Sequence, residues 1–160
     1  IYMSKTRKTF AIILGILTVC TLAFIWGNSI LSIGSSAERS GNLYEKLKGV
    51  LDFLFGEGII THDVFRKMAH GGEFFIFGLE LNFLFLTLNK YQVKSVIYIL
   101  LCGFFVAVID ETLQIFSNRG SSLTDVWIDF GGIFTACLII GATYYLASKI
   151  LKYKQTKKTD

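Results

Sequence analysis

Asp110 and Glu111 are adjacent carboxylates inside an apolar run, Val96–Phe116, that is long enough to cross a bilayer. Asp125 and Asp129 open another apolar run a few residues later, and Arg119 stands in the short polar loop between the two runs. Upstream, Arg66, His70 and Glu73 follow i, i+4 and i+7 on one helical face, and Gln114 shares a stripe with Asp110. A charge near the bilayer centre costs roughly 2.5–3.5 kcal/mol even on the lenient insertion scale, so such residues face protein or water and mark function. Three kinds of chemistry suit this set. Glu111 or Asp110 can act as a base with His70 as the acid, while Arg119 clamps an anion. The same mixed charges can hold a polar head group. His70 and Glu73, as H-x-x-E on one face, also fit a metal or a proton relay, with Glu111 as a further ligand. No motif demands a metal, so none is predicted and the cofactor is left open. A Ser or Cys nucleophile with a His partner, a C-x-x-C pair and a phosphate-cradling glycine loop are all missing from the sequence.

Each of these residues has a plainer role beside the chemical one. Asp125 closes a Ser122-Leu123-Thr124-Asp125 capping box, which would only finish a helix start. Arg66 and Lys67 can sit among lipid headgroups, the role favoured for Lys67. Arg119, with four acids nearby, is expected to pair with them. Glu80 lies sixteen residues into its run, about 24 Å from the end at which the others gather, and is expected either to be protonated or to bond across helices, away from the main cluster.

The elements that must position these groups are transmembrane helices. The chain is 52% hydrophobic and 18% charged, with apolar runs of some twenty residues, which excludes an ordinary soluble core. The reading is a single all-α, polytopic membrane domain with spans at about 10–31, 64–88, 96–116 and 123–148. The first run is longer than the apolar core of a signal peptide and shows no Ala-x-Ala site, so it reads as an uncleaved span. Between the first two spans, Leu43, Leu47, Val50, Leu51 and Leu54 recur at helical spacing among charged residues, which predicts an amphipathic helix in the first extracytoplasmic loop. Asp63 and Thr61 are both available as N-caps for the second span. Lys5, Arg7, Lys8, Lys90, Lys94 and the five tail lysines fall on one side, which the positive-inside rule makes cytoplasmic for both termini. Cys20, Cys102 and Cys137 lie inside apolar runs and are read as packing residues. The basic residues flank spans and carry no aromatic-basic binding motif, so a nucleic-acid partner is not expected.

Depth ties the polar groups to one place. Asp110 lies seven residues before Ser117, His70 six after Val64 and Asp129 six after Leu123, so each sits roughly 9–10 Å below the same end of its helix. Gly132 and Ala136 continue the Asp125–Asp129 stripe, and small residues there allow helices to approach closely.

Arg66-Lys67-Met68-Ala69-His70-Gly71-Gly72-Glu73-Phe74, then Asp110-Glu111 with Gln114, then Arg119, Ser122, Asp125-Val126, Asp129 and Gly131-Gly132, together resemble the VanZ-like membrane proteins. The matching region runs from about Arg66 to Gly132. The resemblance implies an integral membrane protein of the bacterial cell envelope, related to one that protects against teicoplanin-type lipoglycopeptide antibiotics. Phe74 stands where the family pattern often has Tyr, and Ser117-Asn118 where it often has a proline before the arginine.

Three functions compete on this reading. The first is a binding protein for the head group of a lipid-linked or lipoglycopeptide ligand, with membrane lipid around it, contributing to antibiotic resistance. The second is a membrane-embedded carboxylate and histidine enzyme, a hydrolase or transferase acting on a lipid-linked cell-envelope substrate. The third is a polar knot that specifies helix pairing. Polar pairs in membranes average only about 0.6 kcal/mol, and so many charges exceed what pairing needs. The preferred ligand-binding set is Arg66, His70, Glu73, Asp110, Glu111, Gln114, Arg119, Asp125 and Asp129.

Overall fold

A computed structural model describes residues 3–30, 33–117 and 122–159, with side chains also undescribed at 33–37, 39, 158 and 159. Among the described residues the chain forms helices alone: α1 (Lys5–Ile30), α2 (Ile33–Phe55), α3 (His62–Thr87), α4 (Val93–Phe116) and α5 (Leu123–Thr159). α1, α4 and α5 are long and apolar enough to cross a membrane. α3 has the length, at 26 residues, but carries Arg66, Lys67, His70, Glu73, Glu80 and Asn82 and stands apart from those three in apolarity. α5 runs for 37 residues, about 55 Å, which exceeds a bilayer core. It was expected to end near residue 148. The lysine-rich tail instead continues the helix, as good helix formers permit.

Hydrogen bonds between chain segments fix how the helices run. The Arg7 guanidinium donates to the Leu86 carbonyl at 3.3 Å and to Asn89, so the start of α1 meets the α3–α4 turn. At the other end, the Ser117 hydroxyl donates to the Ser29 carbonyl at 2.9 Å, joining the ends of α1 and α4. α1 and α4 therefore run one way, and α3 and α5 the other. The basic residues near Arg7 and Lys90 share one end of this bundle. The start of α3, the end of α4 and the start of α5 share the opposite end.

α3 is central and packs most extensively on α5. The reason lies in small residues. A Cβ placed on Gly132 would lie 2.2 Å from the Gly71 carbonyl oxygen and 2.9 Å from the Phe75 nitrogen. One on Gly78 would lie 2.9 Å from the Ala136 Cβ and 3.1 Å from the Ile133 Cα. Removing side chains there lets the two backbones touch, which is the main source of attraction where lipid gives no hydrophobic drive. Around this seam Phe74, Phe77, Ile99, Val106, Ala107, Ile133 and Ile25 form the buried core. On the outer faces, Phe10, Ile16, Phe24, Phe105, Ile115, Leu138 and Leu146 are exposed, the periphery expected of helices bathed in lipid.

Thr61 caps α3, its hydroxyl accepting from the Val64 nitrogen, so it and not Asp63 is the cap. α2 begins well before Leu43, where the apolar spacing starts. It is held to α3 mainly at one corner: the Tyr44 hydroxyl donates to the Ile60 carbonyl at 2.9 Å, and its ring packs on His62 and Phe65. Leu43, Leu47, Val50 and Leu54 remain exposed. Gly56 and Gly58 take positive φ in the turn from α2 to α3, a conformation that favours glycine. Glu80 accepts a hydrogen bond from the Thr21 hydroxyl at 2.8 Å, joining α1 to α3 midway along the bundle. That contact is away from the acidic cluster.

Candidate functional site

The acidic cluster forms where α3, α4 and α5 meet near their shared end. α4 buries Val106, Ala107, Asp110, Glu111 and Gln114, which recur along one helical face. Because α4 turns that face inward, its two acids are enclosed by protein and kept from lipid. α5 buries Val126, Asp129, Ile133, Ala136 and Cys137 against α3 and α4. Close approach of Gly71 and Gly132 then sets His70 beside Asp129, since each is within three residues of that contact. One ligand atom from each of His70, Asp110 and Asp129 lies within 4.8 Å of the others.

The two acids of α4 take different jobs. Asp110 is fully buried and accepts from the Ser29 hydroxyl at 2.6 Å and from the Gln114 amide at 3.0 Å. Glu111 accepts from the Ser122 backbone nitrogen at 3.0 Å, tying the end of α4 to the start of α5. Successive helical residues point about 100° apart, so one of the two neighbours comes closer to both His70 and Asp129. That residue is Asp110. The sequence predicts no metal and offers His70, Glu73 and Glu111 only for the case that one is present; the ligand atoms that converge within 4.8 Å are those of His70, Asp110 and Asp129.

Asp129 is 1% exposed, and neither of its carboxylate oxygens has a hydrogen-bond partner among the described residues. Asp110, Glu111, Asp125 and Glu73 are all near enough to act on its charge. Asp125 is only partly buried and lies 3.6 Å from the Lys67 ammonium. Lys67, read from the sequence as a headgroup contact, thus reaches into the cluster. Ser122 does cap α5, through its hydroxyl and the Thr124 nitrogen at 3.2 Å, while Asp125 turns toward Lys67. At partial exposure such a pair contributes about 0.2–1 kcal/mol.

Two hollows adjoin these groups. Arg66, Lys67, His70, Gln114, Asp125, Ile128 and Asp129 line a cavity of about 10 Å³, room for a single water-sized sphere. A larger groove of about 390 Å³ lies between α1 and α3; Cys20, Thr21, Phe24 and Ile76 wall it, and it reaches Glu73. Of the residues singled out from the sequence, Arg66, His70, Gln114, Asp125 and Asp129 share the cavity, Asp110 joins His70 and Asp129, and Glu73 lines the groove. Glu111 is buried beside them, and Arg119 lies outside the described residues.

Ser29 was missed by sequence reasoning. It is a lone hydroxyl near the end of an apolar helix, and its bond to Asp110 spans 81 residues of chain. The neighbouring Asn28-Ser29 pair was the one available hint, a polar break just before the run ends.

Residues 9–145 match the model of the VanZ/LLP1 family. That stretch covers most of the 160 residues, and the chain belongs to this family. No curated protein and no solved structure matches it.

Proposed function

We propose that this VanZ/LLP1 family member is a multi-pass protein of the bacterial plasma membrane that binds the polar head of a lipid-linked or lipoglycopeptide ligand. In this reading α3 is a fourth span, both termini are cytoplasmic and the acidic cluster faces outward. α2 rests its exposed leucines on the membrane surface. The observation that carries the reading is the pairing of two hollows: a cavity walled by cations and acids that admits one small charged group of the head and leaves the rest outside, and an apolar groove that ends at Glu73. His70 and Glu73 are one helical turn apart, so a head held by Arg66 and His70 can continue into an acyl tail lying along Phe24 and Ile76. The family resemblance supports the chemical class, and with it we extend the proposal to a contribution to protection against teicoplanin-type antibiotics.

Binding of teicoplanin to the full chain in lipid nanodiscs, beside a glycopeptide lacking the acyl tail, tests this. The acylated compound is expected to bind about tenfold tighter or more, a difference of roughly 1.4 kcal/mol. Arg66→Ala and His70→Ala should each abolish that preference while lowering the melting temperature by only a few degrees. Equal binding of the two compounds, or full binding by both variants, would refute the reading. Orientation has its own check: membrane-impermeant thiol labelling should reach cysteines placed at Ser40 and Asn118 and miss those at Gln92 and Thr156. The reverse pattern would overturn the placement of the termini.

The convergence of His70, Asp110 and Asp129 favours one alternative, a hydrolase or transferase acting on a lipid-linked substrate. Asp110, oriented by Ser29 and Gln114, would then be the base in place of Glu111. Release of a head group from a lipid-linked substrate, lost in Asp110→Asn, distinguishes turnover from binding.

A further inference from the structure

We infer that His70, Asp110 and Asp129 form a binding site for one divalent transition-metal ion of the Zn²⁺ or Mn²⁺ type. The inference stands apart from the head-group reading, because a metal can occupy these residues with no lipid ligand present.

Geometry comes first. Ligand atoms around such an ion, each at about 2.0–2.2 Å, are themselves roughly 3–3.5 Å apart. The three donors here already lie within 4.8 Å of one another, so side-chain adjustments of little more than 1 Å would complete the triangle. They come from three different helices, and the close α3–α5 contact at Gly71 and Gly132 fixes two of those helices relative to each other.

Asp129 supplies the second and independent observation. It is 1% exposed, and among the described residues no donor reaches either of its oxygens. A buried carboxylate without donors costs several kcal/mol unless an ion or a proton compensates it. Lys67 does not fill that role, since it pairs with Asp125. Two carboxylates match the charge of one divalent ion.

The donor types narrow the metal. The imidazole nitrogen suits zinc and disfavours magnesium and calcium, which take oxygen ligands, while the two carboxylates also admit manganese. Asp110 carries the outer support typical of a ligand: the Ser29 hydroxyl and the Gln114 amide orient its carboxylate from two sides. Three protein ligands leave at least one coordination position open. The 10 Å³ cavity beside His70 and Asp129 gives that position space for a water or an anionic oxygen.

The test is metal content of the full chain, stripped with chelator, then equilibrated separately with Zn²⁺, Mn²⁺ and Mg²⁺ and freed of excess ion, without added lipid ligand. The expected result is close to one equivalent of Zn²⁺ or Mn²⁺ per chain and background Mg²⁺. Asp129→Asn and His70→Gln should each lower retention at least tenfold. Should either variant fail to fold, Co²⁺ substitution of the wild type keeps the question open to decision. Four-coordinate ligation by nitrogen, carboxylates and one water gives intense visible absorption, whereas a six-coordinate hydrated surface ion gives a weak spectrum. Background metal in the wild type, a weak Co²⁺ spectrum, or full retention in both folded variants would each overturn the site.

Discussion

Gly132→Val is expected to abolish accumulation of folded protein, and Gly132→Ala to lower its melting temperature by several degrees. The first atom of any side chain at this position would lie 2.2 Å from the Gly71 carbonyl oxygen and 2.9 Å from the Phe75 nitrogen. Both neighbours are backbone, so no rotamer change relieves the clash and α3 and α5 must separate. Overpacking of a tight core typically costs about 1–3 kcal/mol, and here the yielding groups are two helices. Alanine gains up to about 1 kcal/mol of helix propensity over glycine, which offsets only part of that. Gly131→Ala is the internal control, because a Cβ there meets nothing within 4 Å. It should leave the melting temperature unchanged or slightly raised. Thermal unfolding in detergent, with yield of monodisperse protein, reads all three variants. If the Gly131 and Gly132 alanine variants behaved alike, the close α3–α5 contact would be wrong, and with it the placement of His70 beside Asp129.

That contact was partly legible beforehand. Gly132 and Ala136 continue the stripe of Asp125 and Asp129, and small residues on a polar stripe mark a helix seam. Equal depth along three helices also pointed to a meeting of His70, Asp110 and Asp129, because helical rise is nearly constant. What the sequence could not decide was azimuth. Asp110 and Glu111 are neighbours pointing about 100° apart, and which of them faces His70 depends on how α4 is rotated by packing. The Ile99, Gly103, Val106, Ala107 and Asp110 face carries that rotation, with Gly103 making room for the Ile133 side chain. Ser29 escaped for another reason: hydroxyls in apolar helices commonly bond their own backbone, as Thr18 does to Leu14, so one that crosses to another helix looks the same in sequence. The longer α2 and α5 reflect helix propensity and context acting where no apolar pattern was present to read.

Asp129→Asn is expected to raise the melting temperature of chelator-treated protein and to abolish ligand binding. Stability and function part company here because of what surrounds the carboxylate. No described residue donates a hydrogen bond to it, and Asp110, Glu111, Asp125 and Glu73 all bear on its charge with the same sign. Replacing the carboxylate by an amide of nearly the same shape removes the cost of either burying that charge beside four others or taking up a proton to avoid it, and creates no cavity. Relief of one poorly compensated buried group is worth about 1–3 kcal/mol. At about 2–4 °C per kcal/mol for a chain of this size, the rise should be roughly 2–12 °C. A polar knot that holds the helices together predicts the opposite sign. Breaking a buried pair by removing one partner costs about 3–5 kcal/mol, so the variant would melt lower and activity would follow the amount of folded protein. Adding Zn²⁺ separates the two accounts further. Wild type should regain stability, because a ligand that binds only the folded state shifts its unfolding upward. Asp129→Asn should respond weakly or not at all. A lower melting temperature in chelator, with binding retained per folded molecule, would leave Asp129 a packing element and remove it from the site.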